Sequence, residues 1–140
     1  MLVLGTINVW VVINIILIAI LLWFLGDWAY YQIQRKRLGG ELTEAAFEET
    51  MRKAQIVDLR DKKDFDAGHI LGARNLPYPM LKQNMGELRM DLPVYLYDAG
   101  ITLSIRAALK LRKAGFTDIK WLKKGYAGWT GKTKRKKKLN

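Results

Sequence analysis

A chain of 140 residues has room for one compact domain of about 100 residues and one further element, and two full domains are excluded. It contains no cysteine, which excludes a disulfide scaffold, thiolate metal sites and any mechanism needing a protein thiol, and which fits a reducing compartment. Formal net charge is +11, and the six basic residues Lys132, Lys134, Arg135, Lys136, Lys137 and Lys138 supply more than half of it, so the excess is largely a tail.

The first 26 residues carry no charged side chain, and 7–25 is a 19-residue apolar run interrupted by Asn8 and Asn14. A helix of that length spans a bilayer core of roughly 30 Å. Trp10 lies toward one end and Trp23, Trp28, Tyr30 and Tyr31 cluster at the other, where amphipathic rings favour the headgroup layer. No Lys or Arg precedes the run and no small-x-small cleavage site follows it, so the reading is an uncleaved anchor and not a removable signal. Arg35, Lys36 and Arg37 flank its C-terminal end, which predicts an outward N-terminus and a cytoplasmic soluble part. The expected organisation is a short extracytoplasmic tail at 1–6, a transmembrane helix at 7–26, a juxtamembrane linker or helix at 27–40, a folded domain at 41–131 and a basic tail at 132–140. Asn14 is a candidate for hydrogen bonding to a partner helix.

Gly39-Gly40 breaks the juxtamembrane segment, and 42–51 reads as an amphipathic helix with Thr43 as N-cap. Next come a strand at 56–59, a polar helical turn at 61–67 stopped by Gly68, an extended piece at 73–76 and a short helix at 80–84 after Pro77 and Pro79. Residues 94–97 form a second buried strand. Residues 104–114 place Ile105, Ala108, Leu109 and Leu111 on one helical face, closed by Gly115. A third strand at 119–122 leads into a glycine-bracketed turn from Gly125 to Trp129. Strands alternating with helices imply an α/β fold with a parallel sheet flanked by helices.

Three ordered segments carry a resemblance: Val57-Asp58-Leu59-Arg60 leading to Gly68-His69-Ile70-Leu71-Gly72-Ala73, the loop from Asp98, and Ala114-Gly115-Phe116 with Gly125 to Trp129. Together they resemble a rhodanese-like (sulfurtransferase) domain over roughly 41–131, and the layout of one anchor helix followed by this domain looks like the small membrane-anchored rhodanese-like proteins of bacteria. In active members of that family the strand ends in a cysteine whose thiolate accepts a sulfane sulfur, cradled by backbone N–H groups of the next loop. Matched back from Ala114-Gly115-Phe116, the cysteine position falls on Asp98 and the loop on Ala99, Gly100, Ile101, Thr102, Leu103 and Ser104. A carboxylate cannot hold a persulfide, so the resemblance implies a degenerate sulfurtransferase. The loop departs further, with Ile101 and Leu103 where the family commonly has glycine and a polar or basic residue.

Asp98 therefore has two readings. It sets a permanent negative charge where the thiolate would sit, which plugs the loop, or it caps the following helix. The phosphotransferase pattern Asp-x-Asp-x-Thr fails because Gly100 replaces the second acid, and the cysteine-phosphatase pattern fails because Asp98 and Ser104 stand where Cys and Arg are required. His69, the single histidine, reads as scaffold, and Asp58 with Arg60 as a strand-end ion pair that ties loops together, Arg60 also being a candidate to face a pocket and meet an anion. Trp121, Tyr126 and Trp129 read as core or edge aromatics. No zinc, calcium or phosphate-binding spacing is present, so neither metal nor cofactor is expected.

The basic tail has no apolar periodicity and is expected to be disordered, with Lys132, Lys134, Arg135, Lys136, Lys137 and Lys138 available to anionic lipid or to RNA. The expected function is a catalytically inactive module on the cytoplasmic face of the membrane, acting as a binding or scaffold protein for other membrane proteins. The alternatives are a hydrolase or transferase using Asp98 as base, signalled by an open polar pocket over that residue, and an RNA- or ribosome-associated factor working through the tail.

Overall fold

The computed structural model describes residues 8–137; the tail at 1–6, the first residue of the predicted span and Lys138 lie outside the described residues. The chain divides into two compact units between Lys36 and Arg37.

The first unit is helical. Helix α1 (Val9–Leu38) is a single α-helix of 30 residues, about 45 Å at 1.5 Å per residue, and it is long and apolar enough to cross a membrane. None of its residues is buried, so a face of Ile, Leu, Val, Trp and Phe is left to its surroundings, the arrangement expected where those surroundings are lipid. The predicted juxtamembrane segment is helix through Leu38, ended by Gly39 at φ +62. The Asn14 side-chain amide donates to the Trp10 carbonyl at 2.7 Å, so its N–H is satisfied within its own helix.

The second unit begins with β1 (Glu41–Leu42) and α2 (Glu44–Thr50), whose N-cap Thr43 accepts from the Ala46 amide. Strand β2 (Gln55–Asp58) leads to α3 (Lys62–Ala67), capped by Asp61 and stopped at Gly68. Then come β3 (His69–Ile70), β4 (Arg74–Asn75), the short α4 (Leu81–Asn84), β5 (Val94–Tyr97), α5 (Thr102–Lys113), β6 (Ile119–Leu122), a 3-10 turn (Tyr126–Gly128) and β7 (Thr133–Lys134). Strands β1, β6, β5, β2 and β4 form a parallel sheet in that order, with Val57 opposite Leu96 and Leu96 opposite Trp121. Parallel neighbours need long crossovers, and the helices supply them.

Every residue of β5 is buried, which explains why it reads as an unbroken apolar run: in a parallel sheet both faces of a central strand are covered. Tyr95 and Tyr97 join Phe47, Ile56, Ile70 and Leu122 in one core cluster, closed by Met51, Tyr126 and Trp129. Helix α5 buries Ser104, Ala107, Ala108 and Leu111, a stripe at helical spacing, and Gly115 at φ +107 ends it.

The chain after Gly131 departs from expectation. Residues 132–136 are docked, not disordered: β7 pairs antiparallel with β3, the Leu71 amide donates to the Lys132 carbonyl at 3.1 Å and the Lys136 amide to the Asp66 carbonyl at 2.9 Å. Main-chain pairing does not depend on apolar side chains, so composition alone misjudged this segment.

Candidate functional site

Strand β5 delivers Asp98 to the C-terminal edge of the sheet, where open α/β sheets place their ligand sites. Asp98 is buried at 5 % exposure, while the next two residues, Ala99 and Gly100, are exposed. Its carboxylate turns back onto the loop: Oδ1 accepts from the Ser104 hydroxyl at 2.6 Å and Oδ2 from the Leu103 amide at 3.2 Å. Leu103 and Ser104 lie in the first turn of α5, and the formal N-cap, Ile101, makes no side-chain capping bond. Asp98 therefore caps α5 from three residues upstream, with its negative charge at the positive end of the helix. The carboxylate thus engages one loop amide, that of Leu103, and the Ser104 hydroxyl.

The loop is clamped from outside by the turn after β6. The Tyr126 amide donates to the Asp98 carbonyl at 2.8 Å and the Ala127 amide to the Ala99 carbonyl at 3.3 Å. Gly125 adopts φ +64, and a side chain there would put its Cβ 2.2 Å from the Gly100 carbonyl oxygen. Only glycine allows this approach.

Tyr126 also ties the loop to the ion pair. The Arg60 guanidinium lies 4.0 Å from the Tyr126 ring centroid and 5.8 Å from that of Tyr97. It grips the fully buried Asp58 in a fork, with Nε at 3.1 Å and Nη2 at 2.7 Å, and its Nη2 donates to the Gly68 carbonyl at 2.6 Å. Burial works against the Arg60 charge, but the hydrogen bonds and charge of Asp58 outweigh it and hold the guanidinium above its ordinary value. The Nε and Nη2 donors of Arg60 are thus engaged with Asp58 and Gly68, and one face of the guanidinium lies on Tyr126. The Tyr97 hydroxyl accepts from the Ile70 amide at 3.0 Å, and burial, reinforced by the Asp58 charge, pushes its pKa well above the ordinary tyrosine value.

His69 has Nδ1 2.7 Å from the Phe65 carbonyl and its ring stacked on Phe65 at 3.7 Å, consistent with a scaffold role. Trp121 is fully buried, and Trp129 packs edge-on to Phe47. Among the described residues no group of three or more His, Cys, Asp or Glu side chains could hold a metal ion. Lys132, Lys134, Arg135, Lys136 and Lys137 are exposed along the docked segment, away from any bond to the Asp98 loop. Sequence reasoning missed the clamp by Gly125 and Tyr126 and the Ser104 donor. The glycine-bracketed turn was visible, but its contact with a loop 26 residues upstream, Gly125 against Ala99, has no local signal.

A five-stranded parallel sheet, with a loop at the C-terminal end of its central strand β5 leading into α5, defines an α/β class. Residues 43–132 match the rhodanese-like domain family, and the chain belongs to that family. It is 44 % identical over 126 residues to the uncharacterized protein YqhL of Bacillus subtilis, covering 90 % of this chain and 97 % of that one. It is 36 % identical over 89 residues to the thiosulfate sulfurtransferase GlpE of Shewanella oneidensis, covering 64 % and 82 % of the two chains. Uncharacterized protein YibN of Escherichia coli is 43 % identical over 81 residues, 57 % of its own length. Among solved structures, the Alr3790 protein of Anabaena superposes with a TM-score of 0.62 at 27 % identity, over 68 % of this chain and 92 % of that one.

Proposed function

We propose that the chain is a rhodanese-like module that does not transfer sulfur, held at the cytoplasmic face of a membrane by α1 and acting as a binding or scaffold protein for other membrane proteins. The observation that carries this reading is the Asp98 carboxylate accepting from the Leu103 amide and the Ser104 hydroxyl. A sulfane carrier needs a thiolate in that cradle, and the sequence contains no cysteine to provide one. A general base needs a carboxylate oxygen within reach of the proton it removes, and both Asp98 oxygens are turned onto Leu103 and Ser104, which counts against the hydrolase or transferase alternative. The apolar α1 supports the tether, and Arg35, Lys36 and Arg37 at its C-terminal end support the cytoplasmic orientation.

The test is a thiosulfate-to-cyanide assay on the full chain in detergent, run beside Asp98→Cys. The expected result is no thiocyanate above background for the native sequence and measurable thiocyanate for the variant. Thiocyanate formation by the native chain, or a transferable sulfur bound covalently to it, overturns the reading. The scaffold role is checked separately by photo-crosslinking from Ala99 in intact membranes, and an absence of membrane-protein adducts would remove it.

A further inference from the structure

We propose that the docked basic segment 132–137 is a docking surface for anionic lipid headgroups of the membrane that α1 enters. The inference rests on the reading of α1 as a membrane span and adds a second, electrostatic contact to it. The segment contains no acidic residue, and Lys132, Lys134, Arg135, Lys136 and Lys137 are all exposed. What pins it is largely main chain. The Leu71 amide and the Trp129 indole donate to the Lys132 carbonyl, β7 pairs with β3, and the Lys136 amide donates to Asp66. Just upstream, the Thr130 amide and hydroxyl both donate to Glu44 Oε1, at 2.6 and 2.7 Å. Backbone bonds fix the path of the chain and leave the ammonium and guanidinium groups outward.

A free tail with the same charges would lose conformational entropy on contact with a surface, and a pinned strand has already lost most of it. The partner is a diffuse array of negative charge, because the segment offers neither an aromatic platform nor a fork directed at one phosphate. Lipid is favoured over RNA because the same polypeptide carries an apolar helix of 30 residues. The segment is part of the same polypeptide as α1, so insertion of α1 makes its encounter with headgroups intramolecular, an advantage that no nucleic acid shares.

The test uses the full chain in lipid nanodiscs of phosphatidylcholine alone or with phosphatidylglycerol. Acetylation rates of Lys132, Lys134, Lys136 and Lys137 are read by mass spectrometry relative to Lys113, which is exposed on α5. The expected result is slowing of roughly fivefold or more in the phosphatidylglycerol discs, the bias that one cation gains near an anionic leaflet. High salt, or the double substitution Lys134→Glu with Arg135→Glu, should abolish it. Equal relative rates in the two lipids overturn the proposal, and so does protection by added RNA without protection by phosphatidylglycerol. Co-elution with the phosphatidylcholine discs reports on α1 alone, so failure of the anchor is told apart from failure of the basic surface; a chain that does not co-elute is tested by adding phosphatidylglycerol vesicles, against which unchanged labelling likewise overturns the surface.

Discussion

The Ser104 hydroxyl lies 2.6 Å from Asp98 Oδ1, and both residues are buried, at 0 % and 5 % exposure. Charge-assisted bonds between buried groups are strong because water is not there to compete for either partner. The carboxylate thus fastens the first turn of α5 to the end of β5.

Truncation of Asp98 to alanine should cost roughly 1–3 kcal/mol, because it leaves the Ser104 hydroxyl and the Leu103 amide without their acceptor. Urea unfolding of the full chain in micelles measures this. A double-mutant cycle with Ser104→Ala should give a coupling of about 0.5–3 kcal/mol. Additive effects of the two substitutions would mean that the pair does not hold the loop.

Replacement of Arg60 by leucine should be more damaging, on the order of 3–5 kcal/mol, since it strands the Asp58 carboxylate, which is fully buried. Arg60→Lys should recover only part of the loss, because an ammonium can neither reproduce the fork nor stack as a plane on Tyr126. Thermal unfolding of the two variants side by side should rank native above lysine and lysine above leucine.

What was legible in the sequence divides along physical lines. Strands β5 and β6 and helix α5 announce themselves through apolar runs and helical spacing, which are written into every residue of the element. The two-residue strands β1, β3 and β7 are too short to carry a period and exist because a neighbouring backbone offers partners, while β4 lies within the extended piece read at 73–76. The missing thiol could be read directly, and so could the Asp58–Arg60 pair, two residues apart at the end of a strand. The clamp of Gly125 and Tyr126 on the Asp98 loop could not, since only the parallel sheet brings the ends of β5 and β6 side by side.

Gly125→Ala tests that clamp. At φ +64 an alanine is strained, and its Cβ would fall 2.2 Å from the Gly100 oxygen and 2.7 Å from the Ala99 oxygen, both main-chain atoms that cannot swing aside. Destabilisation of about 2 kcal/mol or more is expected. Hydrogen exchange should show the Tyr126 and Ala127 amides losing protection, with the center of β5 unaffected. Retained protection at those two amides would mean that the loop tolerates the added methyl.

Stability at alkaline pH should carry a signature of Tyr97. The unfolded chain releases this proton near 10.0, whereas burial first and the Asp58 charge second raise the folded-state pKa well above that. Between those two values the unfolded state binds fewer protons than the native one, so stability is fully present below about pH 10 and falls as pH rises further, by roughly 1.4 kcal/mol per pH unit for this one group. Tyr97→Phe starts from a lower stability, because the Ile70 amide loses its acceptor, but it lacks the group that titrates. Urea unfolding of both proteins between about pH 9 and pH 11 therefore should show the curves converging as pH rises, while losses from other tyrosines and lysines cancel in the difference. Parallel curves would mean that the Tyr97 proton is no harder to remove in the folded protein than in the unfolded chain.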